Sequence, residues 1–381
     1  MITFLPGYQF QASLYLKWLK DNQSWRQNSS EKIYIISGSP ERSWRITLNE
    51  DLFKFNFRIT PGKILNRLIN LKRTEVLKKI DDIILRAPNK NVLEKSRIVY
   101  GNAGYCFNSF NYLKNNNKNT KLYLDRACSH IILQEKILNE EYKSFGLNFK
   151  KINFIKNIHT KEYNLADKIV VPSNKTYESF IQYGVPEEKL IKQPLFFNFK
   201  KNNNIKYKKI HNLDEEKIFI GFLGGSFVRK GLIYLLKAWN ELDTRNAVLL
   251  VKSSRKTILW TDEIKSLIKN NKNIIFLEDY IEDISDFYKS IDIFCMPSIE
   301  EGFGMALIEA FYYNCKIIAS ESIGSSELIL NYKGVKIFKN RDYIDLAKNL
   351  EKSISQGKKK GLINKDFDLQ ISNKNYLNLF K

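Results

Sequence analysis

Glu301, Glu309 and two glycines in the stretch EEGFGMALIEA, residues 300–310, are spaced as a ligand cradle needs them. Gly302 and Gly304, between Glu301 and Glu309, let the backbone take unusual φ values and approach a ligand closely. A helix beginning near Met305 offers its first N–H groups and the positive end of its dipole to a phosphate. Glu309 lies a turn further along, among the core-directed Leu307, Ile308 and Phe311, where a carboxylate can accept hydrogen bonds from sugar hydroxyls. Asn314 follows the helix where a left-handed cap is wanted. Taken alone, the two glutamates read equally well as a loop residue and a solvated helix residue.

A second stretch gives them company. LGGSFVRKGLIYLLKAW, residues 223–239, is a glycine turn after a strand, with Gly224 and Gly225, then Arg229, Lys230, Gly231 and a helix. Two fixed positive charges beside such a turn suit a diphosphate, because Arg binds oxygens bidentately and Lys supplies a point charge. Ordinary surface cations are the competing reading. None of His130, His159 and His211 has a partner at metal-ligand spacing, so no metal site is expected.

Chemistry of this kind has to be held by strands that end at a common edge. EKIYIISG (31–38), SRIVYGNAG (96–104), TKLYLD (120–125) and DKIVVPS (167–173) read as strands in the first half, with helical spacing over 61–86 and 131–144. After residue 216 the strands are near-continuous apolar runs: KIFIGFLG, AVLLVKSS, NIIFLED, DIFCMPS, CKIIAS and GVKIF. Such runs are buried on both faces, as in a doubly wound parallel sheet, whose ligands bind outside the carboxyl ends of the strands. The Asn- and Lys-rich segment between the halves reads as a linker. The expected organisation is an α/β domain over 1–195, a linker over 196–216, a second α/β domain over 217–362 and a terminal amphipathic helix over 363–381.

Composition narrows the class. A chain of 381 residues is expected to form two domains, and 43% hydrophobic with 27% charged residues is globular. The formal charge of +21 favours anionic partners, whether nucleic acid, acidic lipid or phosphate-bearing substrates, although runs such as KNNNIKYKKI look like general Lys/Asn bias. The four cysteines, Cys106, Cys128, Cys295 and Cys315, form no C-x-x-C pair, which points to a reducing cytoplasm. No run approaches the roughly 20 apolar residues that span a bilayer, and no signal-peptide pattern is present.

GGSFVRKG, the strand DIFCMPS and EGFGMALIEA, with its Glu-x7-Glu spacing, together resemble the donor half of retaining glycosyltransferases of family 4, which share the GT-B fold of two facing Rossmann-like domains. DRACSHIILQEKILNEEYKSFG (125–146) is similar to the ERGSSHI segment of one bacterial branch, and EYNLADKIVVPSNKTYESFIQYGVPEEKL (162–190) resembles the last strand and helix of the first domain. The resemblance covers about residues 95–340. It implies that Glu309 holds a ribose, that Glu301 faces the donor sugar, and that the backbone of Gly302, Phe303, Gly304, Met305 and Ala306 meets the phosphates. By the same likeness Gly224, Gly225, Arg229 and Lys230 surround the diphosphate, with Gly225 standing where many family members have Arg. Glu301, His130 and Asp125 become the catalytic candidates; the strand that often ends in a catalytic-side His ends here in Asp125 and Arg126.

The resemblance further implies a nucleotide-diphosphate sugar, UDP or GDP type, as substrate, with no cofactor and no metal. The acceptor it implies is a glycan or lipid-linked acceptor, of surface polysaccharide, lipopolysaccharide or glycolipid synthesis. The expected location is the cytoplasm, peripheral at an anionic membrane that basic segments such as 62–79 would meet. A nucleic-acid-binding protein rests on charge alone, without an RRM, KH or zinc-finger signature. A non-catalytic GT-B scaffold is opposed by the intact pair Glu301 and Glu309.

Overall fold

Short β-branched and aromatic runs followed by longer helical ones build two parallel sheets in succession. The computed structural model describes residues 2–5, 33–37, 53–57, 90–147, 153–195, 216–225, 227–253, 261–269, 271, 273–278, 283–358 and 379. The first sheet contains β1 (Ile2–Leu5), β2 (Ile33–Ser37), β3 (Phe53–Phe57), β4 (Ile98–Asn102), β5 (Lys121–Asp125), β6 (Lys168–Val171) and β7 (Leu190–Lys192). Its order is β3-β2-β1-β4-β5-β6-β7, and every described pairing is parallel. The second contains β8 (Ile218–Leu223), β9 (Ala247–Lys252), β10 (Ile274–Leu277), β11 (Ile293–Met296), β12 (Lys316–Ser320) and β13 (Val335–Phe338), in the order β10-β9-β8-β11-β12-β13. Both sheets therefore reverse their winding at one point, between β1 and β4 and between β8 and β11, where crevices open at the strands' carboxyl ends.

Helices α1 (Lys90–Glu94), α2 (Phe107–Asn116), α3 (Ile131–Ser144), α4 (Asn153–Leu165) and α5 (Asn174–Gln182) accompany the first sheet. The second carries α6 (Phe227–Lys230), α7 (Leu232–Asn240), α8 (Asp262–Lys269), α9 (Ser285–Ser290), α10 (Met305–Tyr312) and α11 (Tyr343–Ser355). Its central strands are buried on both faces: Phe294 and Met296 pack with Leu307, Phe311 and Tyr288, while Ile293 and Cys295 pack with Leu235, Trp239 and Leu350. Each such side chain contributes about 1.5–3 kcal/mol by leaving water. In the first domain, Val99, Leu122, Leu124 and Val171 meet Phe110 and Phe180 beneath α2 and α5.

The strands expected at 31–38, 96–104, 120–125 and 167–173 are β2, β4, β5 and β6, and all six runs after residue 216 are strands. Strands β1, β3 and β7 were not anticipated, nor were α2, α4 and α11: β7 has only three residues, and α2 is written in Asn, Ser and Lys around few apolar positions. The helical spacing over 61–86 and the basic segment 62–79 lie outside the described residues. Of the expected linker only Glu216 is described, and of the terminal helix only Leu379, which is buried in the same cluster as Ile98, Tyr100 and Phe294.

Candidate active site

The loops after β8 and β11 meet at the switch point of the second sheet. The Ile299 N–H donates to the Arg229 carbonyl at 3.0 Å, which locks the loops together. Gly304, at φ +93°, turns the chain into α10 in a conformation that a side chain would strain. Of the first N–H groups of α10, that of Leu307 donates to the Gly304 carbonyl at 2.9 Å, and those of Met305 and Ala306 precede the first intrahelical bond, the position that suits an anion.

Arg229 and Lys230 converge on one oxygen. The Arg229 guanidinium donates to Glu301 Oε2 at 2.9 Å and to the Glu300 carbonyl at 3.1 Å, and Lys230 donates to the same Glu301 oxygen. Burial alone would raise the Glu301 carboxyl, but the two cations together hold it below the ordinary carboxylate range. Lys230 also packs its stem beside Gly224, and Gly225 is exposed with open space around it. Glu309 stands on α10, where the Tyr288 hydroxyl donates to it at 2.6 Å; burial pushes its carboxyl up and that hydrogen bond offsets part of the rise. Phe303 turns its ring into the core, so its part in the cradle is backbone only. The positive-φ cap expected at Asn314 is present, at φ 60°.

The first domain closes on this loop. A Cβ on Gly302 would fall 1.9 Å from the Ala127 carbonyl, so only glycine admits the chain after Asp125 at that distance. Ser173 and Thr176 hydroxyls donate to the Gly302 carbonyl at 2.6 and 3.1 Å. Glu300, 2% exposed, accepts from the Ser129 N–H at 3.1 Å and from Gln134 Nε2 at 2.9 Å, and Gln134 in turn accepts from Arg126 at 2.6 Å. At the far end of α3, buried Glu141 accepts from Tyr234 at 2.7 Å and from Arg341 at 2.6 Å. Tyr142 and Phe145 follow it onto the core of the second domain.

Asp125 ends β5, two residues before Ala127, and accepts from the Tyr100 hydroxyl at 2.6 Å. Burial pushes its carboxyl up to about 6, against the lowering effect of that hydrogen bond. His130 is placed differently from Asp125 and Glu301. It is 3% exposed, caps α3 by accepting from the Ile132 N–H at 3.4 Å, and stacks on Tyr183 with Tyr163 and Phe180 around it. Burial lowers its pKa to about 4, with Arg126 and Lys156 adding to the effect, so the ring is neutral at physiological pH. These surroundings support a capping and packing role.

Sequence spacing brought Arg229, Lys230, Glu301 and Glu309 forward. It missed Glu300, Gln134, Ser173, Thr176 and Tyr288, which act across the seam or behind the cradle. Only the carboxylate doublet at 300–301 offered a signal.

Both sheets, each doubly wound and parallel, face a seam at their carboxyl edges, and solved structures share this arrangement over the whole chain. The Anabaena protein HepE, solved in complex with UDP, superposes with a TM-score of 0.68 at 13% identity, covering 99% of this chain and 98% of its own. Sucrose-phosphate synthase from Thermosynechococcus elongatus superposes with a TM-score of 0.70 at 13% identity, covering 100% and 98%. The fold is GT-B. Within the GT-B chain, residues 203–365 match the family model of glycosyl transferases group 1, and that span contains every residue of the cradle. The Staphylococcus aureus capsular polysaccharide biosynthesis glycosyltransferase CapM is 26% identical over 182 residues, 47% of this chain and 48% of its own. The GT-B chain thus spans about half the length of the curated relatives it matches. No helix among the described residues is long and apolar enough to cross a membrane.

Proposed function

We propose that this chain is a retaining glycosyltransferase of the family 4 type. It moves a sugar from a nucleotide-diphosphate sugar, of UDP or GDP type, to a glycan or lipid-linked acceptor of surface-polysaccharide, lipopolysaccharide or glycolipid synthesis. The observation that carries this reading is the convergence of Arg229 and Lys230 on Glu301 below the N-terminus of α10, with Glu309 one turn along. The Glu301 carboxylate balances two cations that are placed to take a diphosphate. When the donor enters, its phosphates take over Arg229 and Lys230 and the first N–H groups of α10. Glu301 is then free to accept from a hydroxyl of the donor sugar, while Glu309, held by Tyr288, accepts from the ribose.

Departure of the diphosphate concentrates negative charge on the leaving oxygens, where preorganised cations and helix N–H groups lower the barrier most. The leaving phosphate takes the acceptor's proton on the same face, which preserves the anomeric configuration. Cationic side chains supply the neutralisation in this scheme, so the reaction runs without a metal or a cofactor. HepE's bound UDP and CapM's description in capsule synthesis support the choice of donor and acceptor class. The protein acts at the cytoplasmic face of the membrane, where lipid-linked acceptors are built.

Incubation of the purified chain with a panel of UDP- and GDP-sugars and alkyl glycoside acceptors tests this. The expected product keeps the donor's anomeric configuration by NMR and forms in the presence of EDTA. Release of no nucleotide from any donor contradicts the proposal.

A further inference from the structure

Asn102 is the last residue of β4 and is 3% exposed, yet neither its Nδ2 nor its Oδ1 has a hydrogen-bond partner among the described residues. Buried amides are normally satisfied, and leaving both ends unmade is costly to the folded state. Asn102 also sits opposite Asp125 in the β4–β5 register. Side chains alternate along a strand, so Tyr100 and Asn102 share a face, and the Tyr100 hydroxyl on Asp125 Oδ2 puts Asp125 on that same face. This face reaches the carboxyl edge of the sheet, two residues before the Ala127 carbonyl that abuts Gly302. An unsatisfied amide and a carboxylate with one oxygen already engaged therefore stand together at the acceptor-side rim of the seam.

We propose that Asn102 and Asp125 form a binding site for sugar hydroxyls of the acceptor. A vicinal diol matches an amide at both ends: one hydroxyl donates to Oδ1 and its neighbour accepts from Nδ2. Asp125 Oδ1 accepts from the next hydroxyl while Tyr100 holds Oδ2. A glycan supplies that array, whereas an aliphatic alcohol supplies one hydroxyl and leaves the amide half unmet. The carboxyl of Asp125, raised by burial, rests near its ionisation point at mildly acidic pH, and a bound hydroxyl that donates to the ionised form draws it back down. This assignment rests on the glycosyltransferase reading and adds the acceptor contact to it.

Thermal unfolding, nucleotide calorimetry and acceptor kinetics of full-length Asn102→Leu and Asn102→Ala test it. If the amide is kept for a ligand, the near-isosteric Leu variant melts no lower than the parent. UDP and GDP affinities stay unchanged in both variants, and nucleotide release driven by alkyl glycosides falls about tenfold through a raised acceptor KM. A fall in melting temperature beyond about 3 °C in both variants shows that the amide holds the fold and overturns the assignment. Unchanged acceptor kinetics overturns it as well. If the parent protein releases nucleotide with no donor and acceptor pair, the transferase reading has failed; the melting comparison still decides whether Asn102 is structural.

Discussion

Asp125 and Glu301 are both carboxylates at the seam, yet their surroundings drive them in opposite directions. Glu301 is held ionised by Arg229 and Lys230, while among the described residues Asp125 has only the Tyr100 hydroxyl to offset its burial. The folded-state pKa of Asp125 is raised from 3.8 to about 6, so the folded chain binds the proton more tightly than the unfolded one between those values. Its contribution to stability is complete below pH 3.8 and is lost as pH rises through about 6. Asp125→Asn, which can still accept from Tyr100, should therefore gain up to about 3 kcal/mol over the parent at pH 7.5 and nothing near pH 4. Thermal melts across that range check this, and a variant less stable at pH 7.5 would refute it. The family resemblance brought both forward, with His130 as the histidine matching the bacterial branch; in the fold His130 is enclosed by Tyr163, Phe180 and Tyr183, while Asp125 ends a strand at the rim.

At the scale of elements, strand-turn-helix units made the cradle legible in sequence. Arg229, Lys230, Glu301 and Glu309 lie within local motifs whose spacing alone fixes which side of a turn they occupy. The hydrogen bonds that close the first domain on the Gly302 loop join residues 126 to 171 positions apart, and no local pattern encodes that pairing. Strands β4, β5 and β8–β13 were readable because they are apolar and bounded by polar turns; β7 was too short to carry a period. The close approach of Ala127 to Gly302 gives a sharp prediction. Gly302→Ala leaves each domain folded but pushes the loop and the rim apart, and kcat/KM should fall about 100-fold. Circular dichroism together with steady-state kinetics checks it, and activity within twofold of the parent would show that the seam tolerates the displacement.

For the whole molecule, α3 is the structural link between the two domains. Ser129, just before its cap, and Gln134 in its first turn hold Glu300, and its last turn delivers Glu141 to Tyr234 and Arg341. Two parallel α/β domains were readable from alternation of strands and helices, and the motif resemblance implied their GT-B arrangement, whereas this clasp depends on how the domains meet. The charge of +21 acts at the same scale: the protein should co-sediment with vesicles containing anionic lipid, far less with neutral ones, and less again as salt rises. Equal, negligible pelleting with both would remove the membrane from the account. The most direct test of the central claim is calorimetric titration of UDP and GDP into the parent protein and into a variant carrying Arg229→Ala with Lys230→Ala. The cradle predicts binding of one nucleotide to the parent and a loss of at least about tenfold in the variant, since charge-assisted contacts to the diphosphate are removed. Affinity unchanged by the double substitution, or no binding of either nucleotide to the parent, would contradict it.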